Sequence, residues 1–370
     1  MSDSLSRYYA IRTGLTKLFP VTPSGNVARH LLTLAALISG IVGSRKVHLP
    51  AIASKTPGQS QRESRIKRFS RWLSNDRIDR NTYFLPFVRV MLQSLPEGPL
   101  TLVMDASDVG RGCMALVISV VYLKRALPLC WQVIKSKKGH LSQEIHIQLL
   151  QEVILLIPPE RKVVFLGDGE FDGIGLLEAI TAQGWHYVCR TAKNILVREQ
   201  VGDGIYEYSL SELPLTPGDL IELPDVAITQ QAYGPVRVVA MWGTGEKEPF
   251  YLVTTLELPE EAVWWYKKRF QIETLFSDQK SRGFYLAHSH LDAPERLSRL
   301  LIATCLAYIW IVFLGATVRT QEERGMIHRK QRCDLSLFQL GLAWLEHCLN
   351  QQLQIRVTWR TPNTTLYVHD

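Results

Sequence analysis

Four residues in the third quarter of the chain have the types and spacing needed to hold a metal ion against a phosphodiester. Tyr266, Arg269, Glu273 and Lys280 lie at offsets of 0, 3, 7 and 14, which on an α-helix places them within about 60° of one another. The carboxylate can ligate a divalent cation, and the two basic side chains can hold phosphate oxygens. The alternative is an exposed amphipathic helix with intrahelical ion pairs. The four residues alone leave both interpretations open.

Two further carboxylates follow apolar stretches that predict buried strands. Asp105 follows the stretch 100–104, and Asp168 follows 163–166 just before a glycine-rich turn. Acids at strand ends in an α/β sheet lie at the edge where such folds bind their ligands. A helix or turn cap is the alternative role for Asp105, and Asp108 is open to the same interpretation, but Asp105 directly ends the predicted strand and is favoured over Asp108 as the functional acid. We therefore expect Asp105 and Asp168 to be the functional acids.

Asp105, Asp168 and Glu273 together form a set of hard oxygen ligands suited to Mg²⁺ or Mn²⁺. A pair of such ions can activate a water or a 3′-hydroxyl on one side and stabilise the leaving oxygen on the other. In this interpretation the carboxylates position the ions, and no serine or tyrosine nucleophile is required. Tyr266 is then expected to contact DNA.

The pattern Y-(2)-R-(3)-E-(6)-K resembles, at all four positions, the signature of a large group of bacterial insertion-sequence transposases with a DDE catalytic triad. This family commonly has an Asp, a Glu two positions later and another Asp near its second acid, and Asp168, Glu170 and Asp172 match that form. The resemblance implies cut-and-paste transposition of an insertion sequence by metal-dependent phosphodiester hydrolysis and strand transfer. It assigns catalysis and metal binding to Asp105, Asp168 and Glu273.

The resemblance also implies the partners. They are double-stranded DNA, both the terminal inverted repeats of the element and the target, and a second copy of the chain in a DNA-bound synaptic homodimer. Tyr266, Arg269 and Lys280 are expected to bind DNA near the scissile phosphate. The implied location is the bacterial cytoplasm, in association with the nucleoid. Two other classes remain open: a metal-dependent nuclease of the same fold without strand transfer, and a non-catalytic DNA-binding protein descended from a transposase.

An aromatic residue is expected to take part in hairpin formation, by which cut-and-paste members of the group free the element. A sharp hairpin needs an extruded base, which an aromatic side chain can stabilise by stacking. Trp242 ends a predicted strand beside a Gly-Thr-Gly turn and is the candidate. The alternative is that Trp242 covers the small core of its own segment. Trp264 and Trp265 are competitors that we expect to pack against the sheet.

Composition and charge favour a polyanionic partner. The chain has 370 residues, 46% of them apolar, and a formal charge of +7. The segment 61–80 contains seven basic residues and only three acidic residues, with two aromatic residues among them. Arg65, Arg68 and Arg71 are the candidate DNA contacts in this segment, and a solvated helix face is the alternative. The six cysteines include no C-x-x-C pair, which indicates reduced core residues rather than a zinc or disulfide framework.

A long apolar stretch and a short histidine-containing motif could indicate a membrane span and a metal site. The stretch 300–318 is uncharged and long enough to span a membrane. The sequence shows no second such stretch and no signal peptide, so we expect a buried helix and no membrane partner. His288, His290 and Asp292 could ligate a metal, but without further ligands at matching spacing a polar loop is expected.

The order of elements between 100 and 193 predicts the fold. Three antiparallel strands followed by alternating helices and strands give an α/β mixed sheet with helices on both faces, which is the ribonuclease-H-like order implied by the resemblance. The predicted strands are 100–105, 113–122, 126–134, 162–167 and 185–190, and the predicted helices are 142–157 and 174–183.

Four regions are predicted along the chain. They are a helical DNA-binding region at 1–98 (a helix-turn-helix is one possible form of it), a ribonuclease-H-like catalytic domain at 99–194 and 257–320, a β-rich insertion at 195–256, and a C-terminal helical region at 321–370. Short strands separated by Gly and Pro predict the β-rich insertion. A basic connection at 319–332 and an amphipathic helix at 335–350 predict the C-terminal helical region.

Overall fold

The structure is a computed structural model that describes residues 1–136, 141–319, 323–329 and 333–362. The predicted basic connection at 319–332 lies partly outside these residues, as does the end of the predicted C-terminal region, 363–370. The elements that build the candidate site all lie within the described ranges.

The first 98 residues form six helices. These are α1 (Asp3–Leu18), α2 (Gly25–Ser44), α3 (Leu49–Ser54), α4 (Arg62–Leu73), α5 (Arg80–Tyr83) and α6 (Leu85–Ser94). The sequence of α4 explains its orientation, because Phe69, Trp72 and Leu73 are buried on one side while most of its basic residues are exposed.

The central sheet begins with the five strands expected of the ribonuclease-H-like order. The first three are antiparallel neighbours, and the fourth and fifth run parallel to the first, in the order β3-β2-β1-β4-β5. The elements are β1 (Leu100–Gly110), β2 (Cys113–Tyr122), β3 (Arg125–Lys135), α7 (Gln143–Ile154), β4 (Val163–Gly167), α8 (Ile174–Thr181) and β5 (His186–Thr191). The predicted fold class is thus confirmed.

Five more strands continue the same sheet in the order β10-β9-β8-β6-β7, starting beside β5. They are β6 (Leu196–Val201), β7 (Gly204–Ser209), β8 (Leu220–Ile228), β9 (Tyr233–Met241) and β10 (Phe250–Thr254). The sequence assigned this segment to an insertion after the last sheet strand. The segment is β-rich, as predicted, and the structure adds that it extends the central sheet, because β10 pairs antiparallel with β5, with Val253 opposite Cys189.

Helices and 3₁₀ turns follow the last strand of the sheet. The predicted signature helix is interrupted: α9 (Pro259–Lys267) and α10 (Gln271–Lys280) are separated by a 3₁₀ turn at Lys268–Phe270. A 3₁₀ turn advances by 120° per residue rather than 100°, so Tyr266 and Glu273 do not lie on one continuous α-helical face. A second 3₁₀ turn, Leu286–Ser289, is followed by α11 (Pro294–Arg319), α12 (Arg324–Ile327) and α13 (Leu337–Asn350).

Helices cover both faces of the sheet. Cys130 and Trp131 are consecutive residues of β3, so their side chains point to opposite faces. The Cys130 thiol contacts Glu152 of α7 at 3.4 Å, whereas the Trp131 indole N–H donates to Ser298 of α11 at 3.1 Å. The helix α7 therefore covers one face and α11 the other, as predicted.

Helices α2 and α11 are long and apolar enough to cross a membrane, judged by length and composition alone. The expectation that only one such segment exists was wrong, since α2 also reaches a mean hydropathy of 1.5. The most apolar stretch of α11 is 94% buried inside the protein, as expected of a core helix. It crosses α13 closely at Gly315 and Gly341, where an added Cβ would lie within 2 Å of a facing carbonyl oxygen.

Candidate active site

Asp105 and Asp168 are brought to the same level by two neighbouring parallel strands. The pairing of β1 with β4 sets Val103 opposite Leu166, and each acid follows its paired residue by two positions. Residues two apart on an extended chain share a face. The sheet register itself therefore brings the two carboxylates together at the end of β4.

The strand that carries Asp105 is longer than predicted. It continues to Gly110 because its second half pairs with β2, so Asp105 lies inside β1 and only Asp168 follows a strand end. Asp108 lies three positions further and thus on the opposite face, where its Oδ1 accepts the Gly110 N–H at 2.9 Å. Asp108 thus makes the turn-capping contact considered for it, and Asp105 is the acid on the site's face.

The guanidinium of Arg269 lies between three carboxylates. Its Nη1 is 3.9 Å from Oδ2 of Asp105 and 3.9 Å from Oδ2 of Asp168, and its Nη2 is 3.7 Å from Oε1 of Glu273. All three distances are ion-pair distances but too long for hydrogen bonds. Arg269 is buried, while the Glu273 side chain is 58% exposed. The structure thus gathers the three predicted acids around one predicted phosphate-binding residue.

The charges of this centre perturb one another. Burial and, after it, the negative charge of Asp168 raise the pKa of Asp105 to about 6, against the opposing effects of the Ala106 N–H and of Arg269. A carboxylate whose ionisation is disfavoured by another carboxylate is one that a further cation would stabilise. Such perturbed acids are typical of functional sites.

The other two acids of the D-x-E-x-D pattern point to structural partners. Glu170 accepts the Leu141 N–H at 2.8 Å, and Asp172 accepts the Thr191 hydroxyl at 2.7 Å. Both contacts hold the loop after β4 to its neighbours. Asp168 is therefore the member of the pattern that faces Arg269.

Tyr266 is buried beside Arg269 rather than displayed on the surface. Its ring stacks on Phe250 of β10 with centroids 5.8 Å apart, and the Arg269 guanidinium lies 5.7 Å from the Tyr266 ring centre. Burial raises the pKa of the Tyr266 phenol, and the charge of Arg269 opposes that rise. In this conformation Tyr266 positions Arg269, and its predicted DNA contact remains a prediction.

Trp242 lies at the same end of the extended sheet. It follows Met241, which pairs with Phe250, the residue that stacks on Tyr266. Trp242 is half-buried, and its indole N–H donates to the Glu246 carbonyl at 3.0 Å. That bond closes its own loop, which agrees with the local-core alternative, while the register keeps Trp242 near the Tyr266 side of the site.

An exposed aromatic surface beside the site was not anticipated from the sequence. Trp264 is 54% exposed and Phe270 is 48% exposed; the expectation that both neighbouring tryptophans pack on the sheet holds only for the buried Trp265. The ammonium of Lys268 lies 3.3 Å from the Trp264 ring centre, and burial lowers the pKa of this lysine to about 8. The Arg269 guanidinium lies 4.5 Å from the Phe270 ring centre.

Lys280 lies further along β1 on the face of Asp105. It lines a small cavity with Ser107 and Val109, which share the face of Asp105 by strand alternation. Two residues before it, Asp278 is buried and ion-paired with Arg125 at 2.9 Å. Burial raises the pKa of Asp278 to about 6 although Arg125 opposes the rise. This pair fixes α10 to the start of β3 and so positions the residues that α10 carries.

The predicted DNA-contacting arginines of α4 differ in their environments. Arg68 and Arg71 are exposed, whereas Arg65 donates to the Ser60 carbonyl at 2.9 Å. The helix is held to α11 by two arginines, since Arg296 donates to Ser70 at 3.3 Å and Arg299 donates to the Leu73 carbonyl at 3.0 Å. The basic side of α4 therefore belongs to a rigidly packed part of the protein.

The donor set at Arg269 has the chemistry of a Mg²⁺ or Mn²⁺ site, with three carboxylates and no soft ligand. Within the described ranges, however, no three His, Cys, Asp or Glu side chains lie close enough to hold one ion as they stand. The guanidinium of Arg269 takes up the space between the acids. His288, His290 and Asp292 form no such group either: His288 lies in the 3₁₀ turn Leu286–Ser289, and His290 and Asp292 lie in the loop that follows.

A ribonuclease-H-like sheet with three acids gathered at the end of its parallel strands defines the class of the protein. Residues 99–310 match the family model for the transposase DDE domain, more than half of the chain, and the protein belongs to that family. Membership implies an enzyme that cleaves DNA and transfers strands, and members generally use divalent metal ions.

No curated protein matches the sequence. A piggyBac transposase, solved as a synaptic complex with hairpin DNA, is 11% identical, with 92% of this chain and 87% of that chain covered at a TM-score of 0.42.

Proposed function

We propose that the protein is a cut-and-paste DNA transposase of the bacterial Y-(2)-R-(3)-E-(6)-K group, acting on the ends of its own insertion sequence. One observation carries the proposal: Arg269 lies within 3.9 Å of carboxylate oxygens from Asp105, Asp168 and Glu273. Three acids from β1, the end of β4 and α10 have no evident folding reason to share one buried arginine. A site that handles a charged phosphodiester explains their convergence.

Asp105, Asp168 and Glu273 would hold Mg²⁺ or Mn²⁺, and the metal ion would enter the site together with the DNA. When bound, the metal would activate the attacking water or 3′-hydroxyl and stabilise the leaving oxygen. The raised pKa of Asp105 supports this assignment, because a nearby divalent charge would favour its ionised form. Before DNA binds, Arg269 partly neutralises the acids.

Arg269 has a second role in the proposal. A guanidinium binds phosphate oxygens in preference to carboxylates held at non-hydrogen-bonding distances, because two parallel N–H donors match a phosphate. We propose that Arg269 turns to the phosphate next to the scissile bond as DNA enters. The Tyr266 ring packs against the guanidinium and fixes its position. Lys280 binds the DNA strand further along β1. These contacts position the strand and do not read its bases.

The remaining parts of the chain are assigned by the same proposal. The helical region 1–98 contacts the terminal inverted repeats through Arg65, Arg68 and Arg71, and the catalytic domain comprises 99–194 and 257–320. The segment 195–256 brings Trp242 to the DNA end, and 321–370 is assigned to the C-terminal region. The active form is a homodimer on two element ends, located in the cytoplasm with the nucleoid and without a membrane partner.

A strand-transfer assay tests the proposal against a nuclease of the same fold. The full-length protein is incubated with Mg²⁺, a labelled duplex of the inverted repeat that flanks its gene, and a supercoiled target plasmid. We expect the labelled end to become covalently joined to the plasmid. Cleaved but unjoined DNA would support the nuclease instead, and specific binding without cleavage would support a non-catalytic protein.

A further inference from the structure

Outside the catalytic centre, imidazoles and basic side chains gather where two distant segments meet. The Val47 N–H, in the connection between α2 and α3, donates to the Phe284 carbonyl at 3.0 Å in the loop after α10. Beside this bond the rings of His48 and His290 meet edge to face, with centroids 4.8 Å apart. We call this region the His48–His290 cleft; its lining residues are Lys46, Val47, His48, Tyr285, His288 and His290.

Arg111 forms the rim of the cleft. Its guanidinium contacts Nδ1 of His290 at 3.3 Å. A guanidinium can only donate, so Nδ1 accepts and the proton of a neutral His290 resides on Nε2. Arg111 and His290 both have positive φ, 49° and 61°, which places them on tight turns. The cleft thus combines a fixed cation with an imidazole N–H donor.

The surroundings of the cleft are strongly basic. Burial lowers the pKa of His48, and His290, Arg62 and Lys46 lower it further. Lys135 donates to the carbonyls of Arg111 and Asp292 at 3.3 Å and 2.8 Å, and neutral carbonyls do not cancel its charge. The carboxylates on this side are Asp292, Asp108 and Glu295, which act together with Lys135 on the neighbouring Cys113. Within the described residues, no basic side chain of the cleft forms an ion pair with a carboxylate: these side chains are Lys46, Arg62, Arg111 and Lys135.

The fold connects the cleft to the catalytic centre. The second half of β1 extends from Asp105 to Gly110. Gly110 packs closely on the segment after α10 that contains Ala287, because an added Cβ would lie 2.8 Å from the Ala287 carbonyl oxygen. Five residues of extended strand span about 17 Å, which is about five nucleotides along one strand of a duplex. Lys280 lies beside β1 between the two ends. At the far side, Arg62 is the first residue of the basic helix α4.

We propose that the His48–His290 cleft binds backbone phosphates of the element-end duplex, about five nucleotides from the scissile phosphate at the catalytic centre of Asp105. The inference rests on the proposed function, since it assumes that the same duplex lies at the catalytic centre. Charge complementarity supports DNA as the occupant, and so does the position of the cleft between the acids and α4. A metal ion is a poor alternative, because the cationic neighbours of His48 would repel it.

The test compares two doubly substituted full-length proteins. Lys46→Gln with Arg111→Gln removes two charges from the cleft. Lys124→Gln with Lys162→Gln removes two exposed charges from the opposite end of the sheet, in the turn after β2 and just before β4. Binding to an inverted-repeat duplex is measured over a range of salt concentrations in EDTA, and nicking by each protein is measured in parallel with Mg²⁺. Ethylation interference then maps the phosphates that each protein needs.

We expect the cleft variant to lose up to about two phosphate contacts' worth of salt dependence and to bind the duplex several-fold more weakly than the control variant. Interference should disappear at phosphates about five nucleotides from the nick. Equal salt slopes for the two variants, with the wild type nicking normally, would overturn the cleft and leave the proposed function standing. A changed slope in a protein that never nicks would refute the proposed function while retaining the cleft as a DNA contact. A wild type that does not bind the duplex would overturn both.

Discussion

The Nη1 atom of Arg269 lies 3.9 Å from Oδ2 of Asp105, close enough for an ion pair and too far for a hydrogen bond. The same nitrogen is equally distant from Oδ2 of Asp168. Arg269 is therefore shared between acids without being locked to either. Such an arrangement holds like charges together while leaving the guanidinium able to exchange its partners.

Replacing Arg269 with Gln should separate two effects that usually change together. Without the guanidinium, the DNA-free protein should bind Mn²⁺ several-fold more tightly, because one competing cation between the acids is lost. Cleavage of DNA should nevertheless fall sharply, because the phosphate contact is lost as well. Calorimetric Mn²⁺ titration and a nicking assay measure the two effects, and Arg269→Lys is the charge-preserving control. Weaker Mn²⁺ binding by the Gln variant would contradict the shared-counterion role.

Lys280→Gln should weaken complexes formed before cleavage and lower the salt dependence of DNA binding by about one phosphate contact. The reason is that Lys280 lies along β1 beyond the acids, where a bound strand would continue. Binding isotherms at several salt concentrations measure the slope, and thermal unfolding checks the fold. An unchanged slope with a lowered melting temperature would show that Lys280 supports packing instead.

The pH dependence of the free energy of unfolding should reveal the cost of ionising the buried Asp105 carboxyl group. Its pKa is raised from 3.8 to about 6 in the folded state, so between these values the folded protein binds more protons than the unfolded chain. Stability is therefore lost as the pH rises from about 4 to about 6, and the loss persists above that range. Asp105→Asn should remove it, making the variant more stable than wild type at pH 7 by on the order of 2 kcal/mol.

Urea unfolding in EDTA at several pH values measures this difference. Asp278 has a pKa raised in the same direction but is present in both proteins, so its contribution cancels in the comparison. A stability difference that is the same at pH 4 and pH 7 would contradict the assigned cause.

Trp242→Ala should permit the first nick and impair hairpin formation, with a base analogue at the extruded position giving partial rescue. The motivation is that Trp242 directly follows β9, next to the Phe250–Tyr266 stack, and base stacking on an aromatic ring contributes about 1–3 kcal/mol. Trp264→Ala, which removes the competing exposed tryptophan beside the site, is tested in parallel and should form hairpins normally. Gel analysis resolves nicked and hairpin products. Normal hairpin formation by the Trp242 variant would assign stacking to another residue.

The sequence predicted the sheet order well because strand and helix periodicities there are unambiguous. The predicted strand 113–122 matches β2, for example, and the predicted helix 142–157 differs from α7 only at its ends. The extension of the sheet by β10 was missed because Phe250–Thr254 has the same short apolar pattern as its neighbours. Only the hydrogen bonds to β5 distinguish a sheet strand from an insertion strand.

The candidate acids were predictable from strand ends and the signature spacing, whereas their relation to Arg269 was not. A regular helix through 266–280 places Arg269 on the same face as Glu273, whereas in the structure Arg269 lies in the 3₁₀ turn Lys268–Phe270 and is buried beside Asp105 and Asp168. The His48–His290 cleft was likewise hidden, because its members come from segments that meet only in the fold. Charge in α4 was visible in sequence, but its attachment to α11 through Arg296 and Arg299 was not.

The most direct test of the central claim is metal-dependent cleavage by single-acid variants. Asp105→Asn, Asp168→Asn and Glu273→Gln should each reduce Mg²⁺-dependent nicking of the element end by at least about 100-fold, while specific DNA binding stays largely intact. Asp108→Asn is the matched control, since it lies on the same strand with its side chain on the opposite face, and it should nick normally. Near wild-type nicking by any of the three variants would remove that acid from the site and contradict the account.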